Sequence, residues 1–142
     1  MSTKVASICI GIPTYNRHSL LRRALTSIAQ QSEPPDEVII GDNSDNRHSE
    51  EIYRSFKTRI PNLNYIKNPK RFSALDNFLN LTKISSATHF MWLADDDVLE
   101  EDHLKIVKKY LRLNSSIQYL GWSYKVINYV NQTKNIHHIC LK

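Results

Sequence analysis

HFMWLADDDVLEEDHL, residues 89–104, runs from an apolar tetrad into three consecutive carboxylates. Phe90, Met91, Trp92 and Leu93 have the length and bulk of a strand buried on both faces, and Asp95, Asp96 and Asp97 follow almost at once. Such a strand delivers negative charge to one point of a sheet edge. Adjacent carboxylates repel, which raises their pKa values or lowers stability unless a cation, a set of donors or open water neutralises them. Hard oxygen ligands of this kind suit Mg²⁺ or Mn²⁺. A turn rich in Asp is the simpler alternative, with Asp102 capping the helix that follows.

At 142 residues the chain has room for one ordinary domain, so residues 1–142 are read as a single unit. Charged residues at 23% and hydrophobic residues at 41%, with no low-complexity tract, exclude a disordered chain. A formal charge of +5 permits an anionic partner, but Lys and Arg are scattered, so nucleic acid is not an expected partner. Cys9 and Cys140 fit neither a disulfide framework nor a zinc spacing, and both read as reduced thiols of a cytoplasmic protein. The apolar run ending at Ile12 is too short for a secretory signal, and nothing approaches the roughly 20 apolar residues of a membrane-spanning helix. Any membrane association is therefore expected to be peripheral, or through a segment outside this sequence.

Residues 6–12 (ASICIGI) are expected to form a central strand ending before Pro13. Ser19 can cap a helix whose Leu21, Ala24, Leu25, Ile28 and Ala29 form one apolar stripe. Residues 37–41 (EVIIG) make a second strand, and a modest helix follows over about 49–58. This β-α-β order implies parallel pairing. Residues 63–67 (LNYIK) alternate as a third strand, and KRFSALDNFLNLTKI suits a packed helix leading into the strand before the acidic triplet. Residues 102–114 are expected to be helical, with Leu104, Val107 and Leu111 inward and Lys105, Lys108, Lys109 and Arg112 on a solvated face. Residues 117–130 and 136–140 read as a hairpin beside the sheet. The fold class is thus α/β, a mostly parallel sheet flanked by helices with a C-terminal hairpin.

Ligands of open α/β sheets sit outside the carboxyl ends of the strands. The first strand brings Pro13, Thr14, Tyr15, Asn16 and Arg17 there, the second Asp42, Asn43, Ser44 and Asp45, the third Lys70 and Arg71, and the fourth the acidic triplet. Tyr15 offers an aromatic face for a base, Asp42 an acceptor for a base N–H or a ribose hydroxyl, and Arg71 a fork for phosphate. Together they suit a nucleoside diphosphate held with a divalent cation. Each has a plainer alternative. Tyr15 can cover the core, Asp42 and Asn43 can form an Asx turn, and Arg71 can pair with Asp76 or Glu51. Asn77 reads as a helix residue bonding backbone, and the six His residues share no metal spacing.

ICIGIPTYNR, EVIIGDNSD and FMWLADDD, in this order and at these separations, resemble the donor-binding half of family 2 glycosyltransferases with the GT-A fold. KRFSALDN followed by LADDD is similar to members that act in spore-coat polysaccharide synthesis. The resemblance implies a nucleotide-sugar donor, often a uridine diphosphate sugar, with Mg²⁺ or Mn²⁺ and transfer with inversion to an acceptor hydroxyl. It assigns Thr14, Tyr15 and Asp42 to the base, Arg71 to the base or diphosphate, Asp95 to the ribose and Asp96 to the metal, with Asp97 beside it. Pro13, Asn16, Arg17 and Asn43 fall within the same matching loops. Ala94 departs from the family, whose Asp-x-Asp motif often begins there. The resemblance also implies a truncated domain that lacks the acceptor-binding half and the general base. The sugar, the acceptor and self-association stay open.

The main alternative is a non-catalytic nucleotide-sugar-binding module. A sugar-phosphate nucleotidyltransferase needs a Gly-rich phosphate loop after its first strand, which PTYNR does not supply. A receiver-type phosphotransfer domain needs a partner Lys further on from the Asp that ends a central strand, and no suitable Lys follows here.

Overall fold

The computed structural model describes residues 5–69, 72–122, 124–127 and 134–137. Its elements follow in the order β1 (Ile8–Thr14), α1 (His18–Ala29), β2 (Glu37–Asp42), α2 (His48–Phe56), β3 (Leu63–Lys67), α3 (Ala74–Ile84), β4 (His89–Trp92), α4 (His103–Leu113), β5 (Tyr124–Ile127) and β6 (Lys134–His137). The first four strands form one sheet in the order β3-β2-β1-β4, parallel throughout. β1 lies inside it and is buried along its whole length.

Alternation along β1 and β2 divides the core between two faces. Ile8, Ile10, Ile12, Val38 and Ile40 join the apolar stripes of α1, α2 and α4 in the main core. Cys9 and Ile39 meet Leu81 of α3 on the opposite face. That second layer is thin, and close approach makes it work. A Cβ on Gly11 would stand 2.3 Å from the Phe90 ring, and one on Gly41 would stand 2.4 Å from Oδ1 of Asn77. At both glycines a neighbouring side chain fills the space that a Cβ would take.

β1 continues through Pro13 to Thr14, two residues beyond the expected end. The amide directions explain why. Leu93 donates to the Gly11 carbonyl and Asn43 to the Thr14 carbonyl, so odd residues of β1 face β4 and even ones face β2. Pro13 therefore lacks its N–H on the β4 side, past Gly11↔Trp92, where β4 pairing has ended. No ladder bond is lost.

Three further expectations are corrected. β4 lies at one end of the sheet order rather than buried on both faces. Met91 and Leu93 enter the core, whereas Trp92 is 46% exposed and its Nε1 donates to the Phe78 carbonyl at 3.2 Å. Ser19 does not cap α1, which starts at His18 with no side-chain cap. Lys108 is not on a solvated face: it is buried, with its ammonium 3.0 Å from Asp36 and donating to the Pro34 carbonyl at 2.7 Å. Glu33 pairs with Arg112 beside it. The expected hairpin forms as β5 and β6, which pair antiparallel in a separate two-stranded sheet, although residues 117–122 carry no strand. Expected strand residues 128–130 and 138–140 lie outside the described residues.

Candidate functional site

The carboxyl ends of β1, β2 and β4 open into a cavity of about 260 Å³. Pro13, Thr14, Tyr15 and Arg17 form one wall, Asn43 and Asn77 another, and Asp95 and Asp96 close a third side. The parallel sheet brings these loops together, because every strand ends at the same edge.

Asp95 is buried and fixed. Its Oδ2 accepts from the Thr14 hydroxyl at 2.8 Å, so β1 and β4 are tied across their ends. Nη1 of Arg17 lies 3.3 Å from Oδ1 of Asp95 and 3.3 Å from Oδ2 of Asp96. One nitrogen cation thus reaches both carboxylates. The chain then turns, with the Asp97 amide donating to the Ala94 carbonyl at 3.0 Å, and Asp97 is not part of the cavity wall. Partial desolvation, with the Asp96 and Asp95 charges behind it, pushes the Asp97 carboxyl above its ordinary range.

Asn16 does not line the cavity either. It adopts a left-handed conformation, φ 53°, and joins the first loop to the second. Its amide donates to the Ser44 hydroxyl at 2.8 Å, its side chain donates to Asp45 at 3.0 Å, and its Oδ1 accepts from the Asp45 amide at 3.1 Å. The Tyr15 hydroxyl donates to the same Asp45 carboxylate at 3.0 Å, which orients the ring.

Asp42 is also displaced from its expected position as a ligand on the cavity wall. It is fully buried, its Oδ1 takes the Ser44 amide at 2.7 Å, and its Oδ2 takes the Tyr65 hydroxyl at 2.6 Å and the Lys67 ammonium at 3.0 Å. Burial alone would raise its pKa, but these donors outweigh it and hold the carboxyl below the usual range. The same contact, after burial, pushes the Tyr65 phenol up. Lys67 also donates to the Ser44 and Asn46 carbonyls, so a single cation braces the second loop.

Asn43 is on the wall, held by donating to the Phe72 carbonyl at 2.8 Å and accepting from Asn68. Asn77 bonds backbone as expected, through the Gly41 carbonyl at 2.9 Å. Arg71 lies outside the described residues. The Ser73 cap of α3, which accepts from the Asp76 amide at 3.1 Å, was missed, although Ser73-x-x-Asp76 has the spacing of a capping box.

The chain belongs to glycosyl transferase family 2, whose model matches residues 9–139. Among characterised relatives, validoxylamine A glucosyltransferase of Streptomyces hygroscopicus subsp. limoneus is 33% identical over 61 residues, 42% of this chain and 14% of that protein. The fold is similar to that of S. aureus TarS 1-349 in complex with UDP, at TM-score 0.68 and 19% identity, over 75% of this chain and 32% of that one. It is also similar to the mannosyltransferase PcManGT of Pyrobaculum calidifontis in complex with GDP-Man and Mn²⁺, at TM-score 0.66 and 19% identity, over 77% and 33%. The parallel sheet with its helices is therefore the GT-A fold, and the chain spans a third or less of the length of these relatives.

Proposed function

We propose that this domain binds a nucleotide-diphospho-sugar with a divalent cation and presents it for inverting transfer to an acceptor hydroxyl. The observation that carries the reading is the single Arg17 nitrogen 3.3 Å from both Asp95 and Asp96, inside a cleft that Tyr15 and Asn43 also line. It marks a place where one cation reaches both carboxylates. No cluster of three His, Cys, Asp or Glu fit to hold a metal occurs among the described residues. Two carboxylates suffice when substrate phosphates complete the shell, which is the habit of Mg²⁺, and Mn²⁺ favours the same oxygen donors.

In this reading Asp95, held at the ribose side by Thr14 through Oδ2, shares the metal through its Oδ1 with half-exposed Asp96. Asp97, turned away, adds negative potential. Tyr15 and Pro13 give the base an apolar face, with Asn43 as its polar partner, while Asp42 acts from beneath by fixing the loop. By the family resemblance, Arg71 serves the base or the diphosphate. When bound, the metal stabilises negative charge on the departing diphosphate. UDP is the favoured nucleotide. TarS has been solved with UDP and UDP-GlcNAc, and PcManGT with GDP-Man and Mn²⁺. No helix among the described residues is long and apolar enough to cross a membrane, and a cytoplasmic site of action is part of the proposal.

Calorimetric titration of the chain with UDP in Mn²⁺, repeated with chelator and with Asp96→Ala, tests this. The expected result is binding that chelator abolishes and that weakens at least tenfold in the variant, the loss of one charged ligand contact. Failure of the folded chain to bind any nucleoside diphosphate overturns the reading.

A further inference from the structure

Arg17 occupies the place that the proposed metal needs. A guanidinium and a divalent cation cannot both sit between Asp95 and Asp96 without strong like-charge repulsion. We infer that Arg17 is an exchangeable counterion: it neutralises the two carboxylates in the free protein, yields to the metal as the nucleotide enters, and turns to the diphosphate oxygens. The inference rests on the donor reading above.

Four features support exchange over a permanent clasp. Both contacts are 3.3 Å, long for charge-assisted hydrogen bonds, which usually close to about 2.7–2.9 Å. The Arg17 side chain is 54% exposed, so it can swing without opening the core. Asp95 keeps the Thr14 hydroxyl at 2.8 Å, so the buried member of the acidic pair remains in place when the guanidinium leaves. Arg17 also stands at the start of α1, a helix with no capping side chain and no acidic residue in its first turn. The positive end of that helix favours an anion beside Arg17. The planar fork of Arg suits phosphate oxygens better than it suits a shared contact through one nitrogen. The movement stays within one cleft, since Arg17, Asp95 and Asp96 line it together.

The exchange makes two predictions of opposite sign. Wild type, Arg17→Gln and Arg17→Lys are titrated with Mn²⁺ alone, followed by the paramagnetic resonance signal of free Mn²⁺, and then with UDP at fixed Mn²⁺ by calorimetry. Thermal melts verify that the variants fold. Arg17→Gln should bind Mn²⁺ about threefold more tightly than wild type, a modest gain because the ion pairs are screened by solvent. Its affinity for UDP with Mn²⁺ should fall about tenfold. Arg17→Lys should keep a Mn²⁺ curve near that of wild type, with part of the UDP loss. A permanent clasp would lower both affinities together. Identical Mn²⁺ curves for wild type and Arg17→Gln, including no binding by either up to millimolar metal, overturn the exchange. Wild type that fails to bind UDP overturns the donor reading and the diphosphate step. A tightened Mn²⁺ curve in Arg17→Gln would then still uphold the counterion step.

Discussion

Asp42 brings three donor groups to one buried carboxylate, and it shows how a residue can serve a site without lining it. Ser44, Tyr65 and Lys67 all converge on it, and the second loop is shaped by that convergence. Asp42→Asn removes a charge-assisted acceptor, which costs about 2–3 kcal/mol at neutral pH. The Lys67 share is small because its side chain is 41% exposed. The folded-state pKa of Asp42 lies below its unfolded value of about 3.9. Its contribution is therefore fully present above that value and is lost as pH falls through the folded pKa. Urea unfolding between neutral and strongly acid pH should show a shallower acid-side decline for Asp42→Asn than for wild type. Parallel curves would show that Asp42 has no such linkage.

At the scale of elements, β2 and α3 are joined where Gly41 meets Asn77. Gly41→Ala drives a methyl group to 2.4 Å from Oδ1 of Asn77 and strains the 2.9 Å bond by which Asn77 reaches the Gly41 carbonyl. A loss of about 1–3 kcal/mol is expected. In an Asn77→Ala background the same change should cost distinctly less, because the clash is gone; a double-mutant cycle with no coupling would refute the contact. Such contacts mark the limit of what the sequence makes legible. The first three strands were readable because β-branched runs bounded by Pro, Gly and Asp are local signals. β4 was readable as a strand, but its place at the end of the sheet order was not, since an apolar run looks alike at the centre and the end of a sheet. Lys108 finds Asp36 and Glu33 only through the fold, so its burial left no local mark. At the site, the loops of β1, β2 and β4 were legible by their chemistry, whereas the burial of Asp42 was not drawn from it. A signal was present: Tyr65 and Lys67 alternate onto one face of β3, and pairing sets Lys67 beside Asp42.

For the molecule as a whole, Cys9 reports how far the fold behaves as one unit. It sits in β1 between β2 and β4, fully buried and paired by register with Glu37 and Phe90. Burial, the largest influence, pushes its thiol up to about 12, so reactive thiolate is scarce at neutral pH even before access is considered. The main core and the thin α3 layer meet across this strand, and Cys9 belongs to the thin layer. If α3 opened independently, Cys9 would be labelled without unfolding of the main core. The ties from Asn77 to Gly41 and from Trp92 to Phe78 argue that α3 stays with the sheet. In a Cys140→Ser background, labelling of Cys9 by a disulfide reagent should therefore require global unfolding. Its dependence on denaturant should match the slope of equilibrium unfolding, because both expose the same surface. Labelling with little denaturant dependence would instead identify α3 as a separately opening layer, and with it one wall of the cleft.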